Sequence, residues 1–220
     1  MAAEAPGNPL SEGVRSLEVR WFFPGRLETA VAGWFRRFPA AVESREDTYL
    51  LDPPLRGLSV KLRGGGVLEV KVYRGSPGIL EVAGRARGRL QSWQKWSFPY
   101  NRLRRDSGEP AGWRPVRKRR RISRFSLASG QVVAPAPESG GEPRCEVELT
   151  EVRTGGQDWW TLGFEATGRP AALLRSELEA TAAFVFSQAL PGGVKLGPDD
   201  SRSYAEWLCR RPGAESDADA

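Results

Sequence analysis

Short segments in which charged and apolar residues alternate recur along this chain, and they constrain its fold more than any other feature. The pattern is found in residues 16–23 (SLEVRWFF), 58–63 (LSVKLR), 67–74 (VLEVKVYR) and 145–152 (CEVELTEV). Because successive side chains of a β-strand point to opposite faces, each segment predicts a strand with one charged and one apolar face. Like charges would then be stacked on neighbouring strands, where they repel unless an anion lies between them.

Further segments complete the predicted order of elements. Residues 113–125 and 159–167 are additional strands, and residues 46–57 (EDTYLLDPPLRG) contain a short strand that ends at a Pro-Pro break. Helix-like apolar spacing in 27–38 and 171–190 predicts two helices. Residues 201–211 (SRSYAEWLCRR) predict a short third helix. The count is about eight strands and three helices, in the order strand, helix, strands, helix, helix, which is an α+β pattern. No single periodicity places the aromatic cluster Trp93-Lys95-Trp96.

The absence of histidine among the 220 residues excludes several kinds of chemistry. Without imidazole the chain has no Ser-His-Asp or Cys-His nucleophilic pair and no histidine-ligated zinc. Any catalysis must use carboxylates, Lys, Arg, Tyr or an oxygen-ligated metal. The two cysteines, Cys145 and Cys209, are too few for a disulfide framework. With no signal peptide and no 18-residue apolar run, we expect a cytoplasmic protein without a membrane partner.

The distribution of composition along the chain predicts one folded domain. Forty per cent apolar residues, including eight Trp and nine Phe, are enough to build a core. We expect residues 1–15 to be a disordered leader, 16–209 a single domain and 210–220 a disordered acidic tail.

Cations and carboxylates both recur at strand positions that share a face. Lys61 and Arg63 are two residues apart, as are Lys118 and Arg120 in the run VRKRRR. Carboxylates occur in the same kind of position, at Glu18, Glu146, Glu148 and Glu165. Several carboxylates beside several Lys and Arg residues suit a polyphosphate held by cations, with Mg²⁺ or Mn²⁺ bridging acid groups and phosphate oxygens.

These motifs and their order resemble those of the CYTH superfamily, also called triphosphate tunnel metalloenzymes. That family opens with a strand E-x-E-x-K, which SLEVRWFF resembles with Ser16, Glu18 and Arg20 at the three positions. The resemblance covers roughly residues 16 to 208. Its other matching positions follow in the family's order: Lys61 and Arg63, Lys71, Lys118 and Arg120, the acidic strand 145–152, Glu165 preceded by Gly163, and the R-S-Y of residues 202–204.

The resemblance implies a closed or nearly closed antiparallel β-barrel of about eight strands with flanking helices, which encloses a tunnel. It implies binding of a triphosphate-containing small molecule and its hydrolysis with Mg²⁺ or Mn²⁺, and it assigns no catalytic residue. The cations expected to bind phosphate are Arg20, Lys61, Arg63, Lys71, Lys118, Arg120 and Arg202. The carboxylates expected to bind one metal ion are Glu18 and Glu165, with a third from Glu146, Glu148 or Glu151.

Three departures from the family pattern leave other functions open. Ser16 and Gly163 each remove one carboxylate, and Arg20 replaces a lysine with a larger planar cation. One alternative is therefore a catalytically inactive barrel that binds phosphate or a nucleotide. A second alternative is RNA binding through the basic strand 114–124. Nothing in the sequence specifies an adenine pocket, so adenylate cyclase activity is not favoured.

Overall fold

The computed structural model describes residues 13–51, 57–64, 66–99, 112–128, 131–134 and 141–210. Residues 1–12 of the expected leader and 211–220 of the expected tail lie outside this range, while Val14 and Arg15 belong to the first strand. The helices are α1 (Thr29–Phe35), α2 (Leu174–Val185) and α3 (Tyr204–Cys209). The strands are β1 (Val14–Pro24), β2 (Ala41–Leu50), β3 (Leu58–Arg63), β4 (Val67–Gly75), β5 (Ile79–Val82), β6 (Ala86–Arg89), β7 (Gln91–Pro99), β8 (Trp113–Ala128), β9 (Gln131–Val133), β10 (Arg144–Thr154) and β11 (Gln157–Thr167).

Eight of these strands form a closed antiparallel barrel. Their order around the barrel is β10, β11, β1, β7, β4, β3, β2, β8, and β8 pairs again with β10 to close the ring. Strand β9 extends the far end of β8, and β5 with β6 forms a separate hairpin. The predicted α+β fold, a closed barrel of about eight strands with flanking helices, is confirmed. Closure pairs each of the eight barrel strands on both sides, so the barrel itself has no free edge.

The apolar faces of β1, β8, β10 and β11 point outward, where helices and the β5–β6 hairpin cover them. Leu149, Leu162 and Phe164 are buried on this outer face, in one cluster with Leu178 and Val185 of α2. Burial of such side chains is worth about 1.5–3 kcal/mol each. The core of this protein therefore surrounds the barrel wall.

The β5–β6 hairpin approaches the wall closely at one glycine. A Cβ atom on Gly88 would lie 2.5 Å from the indole of Trp21, which no real side chain tolerates. Trp21 is fully buried and its indole nitrogen donates to the carbonyl of Arg87 at 3.1 Å. Glycine at position 88 thus permits the hairpin to lie flat on the outer face.

A second cluster places α3 against inward-pointing aromatic residues. The rings of Phe22 and Trp207 stack with centres 4.7 Å apart, and those of Tyr49 and Tyr204 stack at 5.8 Å. Helix α3 begins with a capping box in which Ser203 and Glu206 satisfy each other's backbone amides, as its S-x-x-E sequence requires. The helix therefore covers one end of the barrel interior.

Two elements differ from the sequence-based expectation. Strand β2 begins at Ala41, earlier than predicted. The early start is not evident from the sequence, because residues 43–46 (ESRE) are polar on both faces and show no alternation. The cluster of Trp93, Lys95 and Trp96 lies in β7, where Trp93 and Lys95 share a face and Trp96 points the other way. Within the described residues, none of the helices is both long and apolar enough to span a bilayer.

Candidate functional site

Closing the sheet turns the charged face of each strand toward the barrel interior. A cavity of about 60 Å³ there is lined by all seven cations that the sequence predicted as phosphate ligands and by three of the four favoured carboxylates. Glu146 is outside the cavity lining and pairs with Arg124 at 2.9 Å, and Glu151 is on the outer face. The charged lining residues are Arg20, Arg45, Lys61, Arg63, Lys71, Lys118, Arg120, Arg202, Glu18, Glu148 and Glu165.

Lys71 lies between two of the predicted metal ligands. Its ammonium nitrogen donates to Glu18 Oε1 at 2.5 Å and to Glu165 Oε1 at 3.2 Å. Ser16 donates to the same Glu18 oxygen at 2.7 Å. Burial and the nearby charge of Glu165 raise the pKa of Glu18. The pKa of Glu165 is lowered because Lys71 and Lys95 outweigh the effect of burial.

The third carboxylate of the cavity, Glu148, lies between two guanidiniums. Arg20 donates to its Oε1 at 3.0 Å, and Arg120 donates to its Oε2 at 2.7 Å. Thr150 also donates to Oε1, at 2.5 Å. These two cations outweigh burial and hold the pKa of Glu148 well below its usual range. Glu148 therefore stays ionised inside the barrel.

Two fully buried carboxylates, Asp47 and Glu69, hold further cations in position. Asp47 accepts from Lys118 at 2.8 Å, and Glu69 contacts Lys61 and Arg63, both at 2.7 Å. Burial opposes ionisation, but the neighbouring cations outweigh it and lower the pKa of each carboxylate to about 2. Both acids therefore fix the direction of the lysines and arginines around them.

Lys118 is the most deeply buried cation among the described residues of the site. Its ammonium nitrogen is 3.8 Å from the centre of the Tyr204 ring and donates to the Tyr49 hydroxyl at 2.7 Å. Burial lowers the pKa of Lys118, although Asp47 acts in the opposite direction. Arg202 joins the site through its main chain, whose amide donates to the carbonyl of Arg20 at 3.0 Å.

Positive charge exceeds negative charge in the described part of the interior. Eight cations and three carboxylates line the cavity. Three further carboxylates pair with these cations: the buried Asp47 and Glu69, and Glu43, which contacts Arg120 and Arg45. Eight cations against six carboxylates leave an excess of positive charge in a small enclosed space. A low-dielectric enclosure with a surplus of one sign concentrates ions of the opposite sign. The arrangement is suited to hold a compact polyanion.

The basic run of residues 114–124 is divided between the two faces of β8. Lys118 and Arg120 point inward, whereas Arg117 and Arg119 point outward and are largely exposed. Outside, Arg117 pairs with Glu46 at 3.0 Å, and Arg119 lies 3.7 Å from Glu151. A groove of about 720 Å³ runs over this outer face. Its carboxylates neutralise much of the positive charge on which an RNA-binding strand would depend.

The carboxylates do not fit a divalent metal ion in the arrangement that the structure holds. Among the residues described, no group of three or more Asp, Glu, His or Cys side chains is placed to hold one. Glu18 and Glu165 both bind Lys71, while Glu148 binds Arg20 and Arg120. Mg²⁺ requires several oxygen ligands in near-octahedral geometry, and these oxygens already face ammonium and guanidinium groups.

Sequence reasoning missed Arg45, Asp47 and Tyr49 as members of the site. They occupy alternate positions of β2 and all point inward, so a period of two was present. The intervening residues are also polar, and the outer face of β2 therefore lacks the apolar contrast that identifies a strand from sequence. The other strands are recognisable from the sequence because their two faces differ in polarity, and the presence of polar residues alone does not identify a strand.

No family model and no curated protein sequence matches this chain. Among solved structures, a conserved hypothetical protein from Pyrococcus furiosus is 18% identical with a TM-score of 0.43, covering 86% of this chain and 98% of that one. A Mimivirus capping enzyme triphosphatase is 10% identical with a TM-score of 0.40, covering 79% and 90%. An RNA triphosphatase from S. pombe is 9% identical with a TM-score of 0.38, covering 80% and 81%. Because these TM-scores are low, the fold is identified from the observed strand pairing, and the function is argued from the chemistry of the cavity.

Proposed function

We propose that the protein binds a triphosphate-containing small molecule inside the barrel. The observation that supports this function is the convergence of eight Lys and Arg residues on one enclosed cavity, where positive charge exceeds that of the carboxylates beside them. Guanidinium and ammonium groups are the side chains that bind phosphate oxygens best, through charge-assisted hydrogen bonds. A linear triphosphate offers several negatively charged oxygens to a ring of such donors.

Binding requires an exchange of partners within the cavity. The free volume of about 60 Å³ is small because the lining side chains are engaged with one another. Arg63 and Arg45 retain 35% and 17% side-chain exposure, more than Lys71 at 15%, so an entering phosphate can reach these two arginines before the deeper lysines. Phosphate oxygens then replace carboxylate oxygens as partners of the lysines and arginines. We expect affinity to fall as salt rises, because the interaction is one of charges.

Calorimetric titration with inorganic tripolyphosphate tests the proposal, with two neighbouring residues of β8 as a matched pair. Arg120→Gln removes an inward cation and should weaken binding by about tenfold or more, since a charged hydrogen bond is worth about 1.5–3 kcal/mol. Arg119→Gln removes an outward cation from the same strand and should leave affinity nearly unchanged. Equal losses in both variants, or no binding by the unaltered protein, would contradict the proposal.

Hydrolysis of the bound triphosphate is a second candidate function. It is favoured by the convergence of Arg20, Lys71 and Arg120 on one cavity, because phosphoryl transfer depends mainly on positioning and charge neutralisation. Phosphate release from tripolyphosphate, ATP and thiamine triphosphate should be measured in EDTA and in Mg²⁺ or Mn²⁺. A rate no higher than that of Glu18→Ala would leave binding as the function. That outcome corresponds to an inactive phosphate-binding barrel.

A further inference from the structure

We infer, as a refinement that rests on the proposed function, that the barrel holds its anion without a divalent metal ion. The charged side chains of Arg20 and Lys71 lie between the carboxylates that a metal ion would need. The inference differs from what the resemblance to the CYTH superfamily implies, and it follows from contacts at the two positions, 16 and 163, where that family's carboxylates are missing.

Arg20 and Gly163 fit together on neighbouring strands. Arg20 of β1 lies opposite Gly163 of β11, which lies opposite Glu148 of β10. A Cβ atom on Gly163 would stand only 2.6 Å from Cζ of Arg20. A carboxylate side chain at position 163 is therefore incompatible with the present position of Arg20. The large side chain of Arg20 and the absence of a carboxylate at position 163 therefore depend on each other.

Three contacts hold the Arg20 guanidinium in that space. Its Nη1 donates to Glu148 Oε1 at 3.0 Å and to Thr161 Oγ1 at 2.9 Å. Its Cζ is 5.1 Å from the centre of the Tyr204 ring, within the range of a cation–π interaction. Arg20 is thus a permanently charged group inside the barrel, whose position is set before a phosphate oxygen arrives.

The neighbouring row of paired residues, next to Ser16, also has a cation of the protein between its carboxylates. Glu18, Glu165 and Glu146 lie opposite one another on β1, β11 and β10. Like charges in such a row repel, and here Lys71 joins the first two while Ser16 donates to Glu18. A divalent ion could use these oxygens only by displacing the lysine. A cation of the protein therefore occupies the space beside Gly163, and Ser16 donates to the carboxylate that binds Lys71.

The balance of charge favours an anion and disfavours a metal. The interior already carries more positive than negative charge, so a free divalent ion would enter against repulsion. A triphosphate would enter with attraction. Since Arg20 and Arg120 share Glu148, an anion that competes for either guanidinium meets two fixed donors on the same side of the cavity.

Two titrations of the protein test whether the barrel binds its anion without a divalent metal ion. For tripolyphosphate, we expect the affinity in EDTA to be within about threefold of that in Mg²⁺, or tighter because Mg²⁺ itself binds the ligand. Binding that EDTA abolishes and Mg²⁺ restores would overturn the inference while leaving the proposed function intact. For Mn²⁺ alone, followed by its electron paramagnetic resonance signal, we expect no stoichiometric binding to the unaltered protein, and such binding would also overturn it.

A gain-of-metal variant supplies the positive control. Gly163→Glu combined with Arg20→Lys relieves the overlap and adds a carboxylate beside Glu18, Glu148 and Glu165. We expect this variant to bind Mn²⁺ at least about tenfold more tightly than Arg20→Lys alone, with circular dichroism showing that both are folded. Equal Mn²⁺ affinity in the two variants would overturn the role given to position 163. If tripolyphosphate binds in neither buffer, the proposed function fails, and the Mn²⁺ comparison still decides whether a metal belongs in the barrel.

Discussion

The inner and outer faces of the barrel wall are built from the same strands but are stabilised by opposite means. On β10, Glu148 points inward to two arginines, whereas the next residue, Leu149, points outward and is fully buried in the apolar cluster with α2. Apolar burial provides non-directional stabilisation outside, while the inside depends on each charge keeping its partner. The comparison teaches that the outer face maintains the fold so that the inner face can carry surplus charge.

Loss of an inner counter-ion should have the largest effect on stability. Glu148→Ala leaves Arg20 and Arg120 buried without the carboxylate they share, and breaking a buried pair costs about 3–5 kcal/mol. Urea unfolding followed by tryptophan fluorescence measures the loss. A decrease below about 1 kcal/mol would mean that the inner pairs behave like exposed ones, in contradiction to the comparison.

Truncation of the adjacent outer residue should cost about 2–5 kcal/mol but leave the cavity unchanged. Leu149→Ala opens space between the barrel wall and its covering helices, where the side chain is fully buried. Its affinity for tripolyphosphate, measured below the unfolding transition, should equal that of the unaltered protein. A loss of affinity comparable to that of Arg120→Gln would show that the two faces are not independent.

Acid should destabilise the inner face through Asp47 and Glu69. Their pKa values fall from ordinary values of 3.8 and 4.5 to about 2 in the folded protein, so both stabilise the fold above the unfolded values. That stability, about 2–3 kcal/mol for each carboxylate taken alone, is lost as pH falls from about 4.5 to about 2.

Stability measured across this pH range should therefore decline steeply in the unaltered protein. The decline should be shallower in Asp47→Asn, which is already destabilised at neutral pH. Parallel curves for the two proteins would show that Asp47 does not contribute to the acid sensitivity.

The smallest effect is expected for an ion pair on the outer face. Glu151→Ala removes the partner of Arg121 and Arg119, of which Arg119 is largely exposed. Exposed pairs contribute at most about 1 kcal/mol, so stability should fall by less than this amount. Comparison of Glu151→Ala with Glu148→Ala, on the same strand, separates the effect of burial from the loss of a glutamate. A loss as large as that of Glu148→Ala would contradict the comparison of the two faces.

The predictable part of the fold consisted of the strands whose two faces differ in polarity. Segments such as 58–63 and 145–152 were recognised because apolar and charged residues alternate in them. Strand β2 is long and lines the site with Asp47, yet its start was missed because both of its faces are polar there. Strand β7 is not evident from the sequence because Trp93 shares a face with Lys95 while Trp96 lies on the other face, so the two faces do not differ clearly in polarity.

The site was predictable as a set of residue types and not as a set of partners. All seven predicted phosphate ligands line one cavity, and their role there remains a prediction. That Lys71 would stand between Glu18 and Glu165 depends on the register of β1 against β11, and hydrophobic patterning sets no such alignment between distant segments. The fit of Arg20 over Gly163 likewise required the two strands to be neighbours.

The amino-acid sequence by itself determined that the alternating wall strands, such as β3, β4 and β10, have one charged and one apolar face, since alternation with a period of two allows no other arrangement. Only the tertiary structure decided which face is enclosed. Helices α1 and α2 and the β5–β6 hairpin supply apolar cover on the outside, so the apolar faces turn toward them and the ring closes around the charges. Closure brings residues from eight strands within a few ångströms of one another, and that proximity makes eight separate cations into one site.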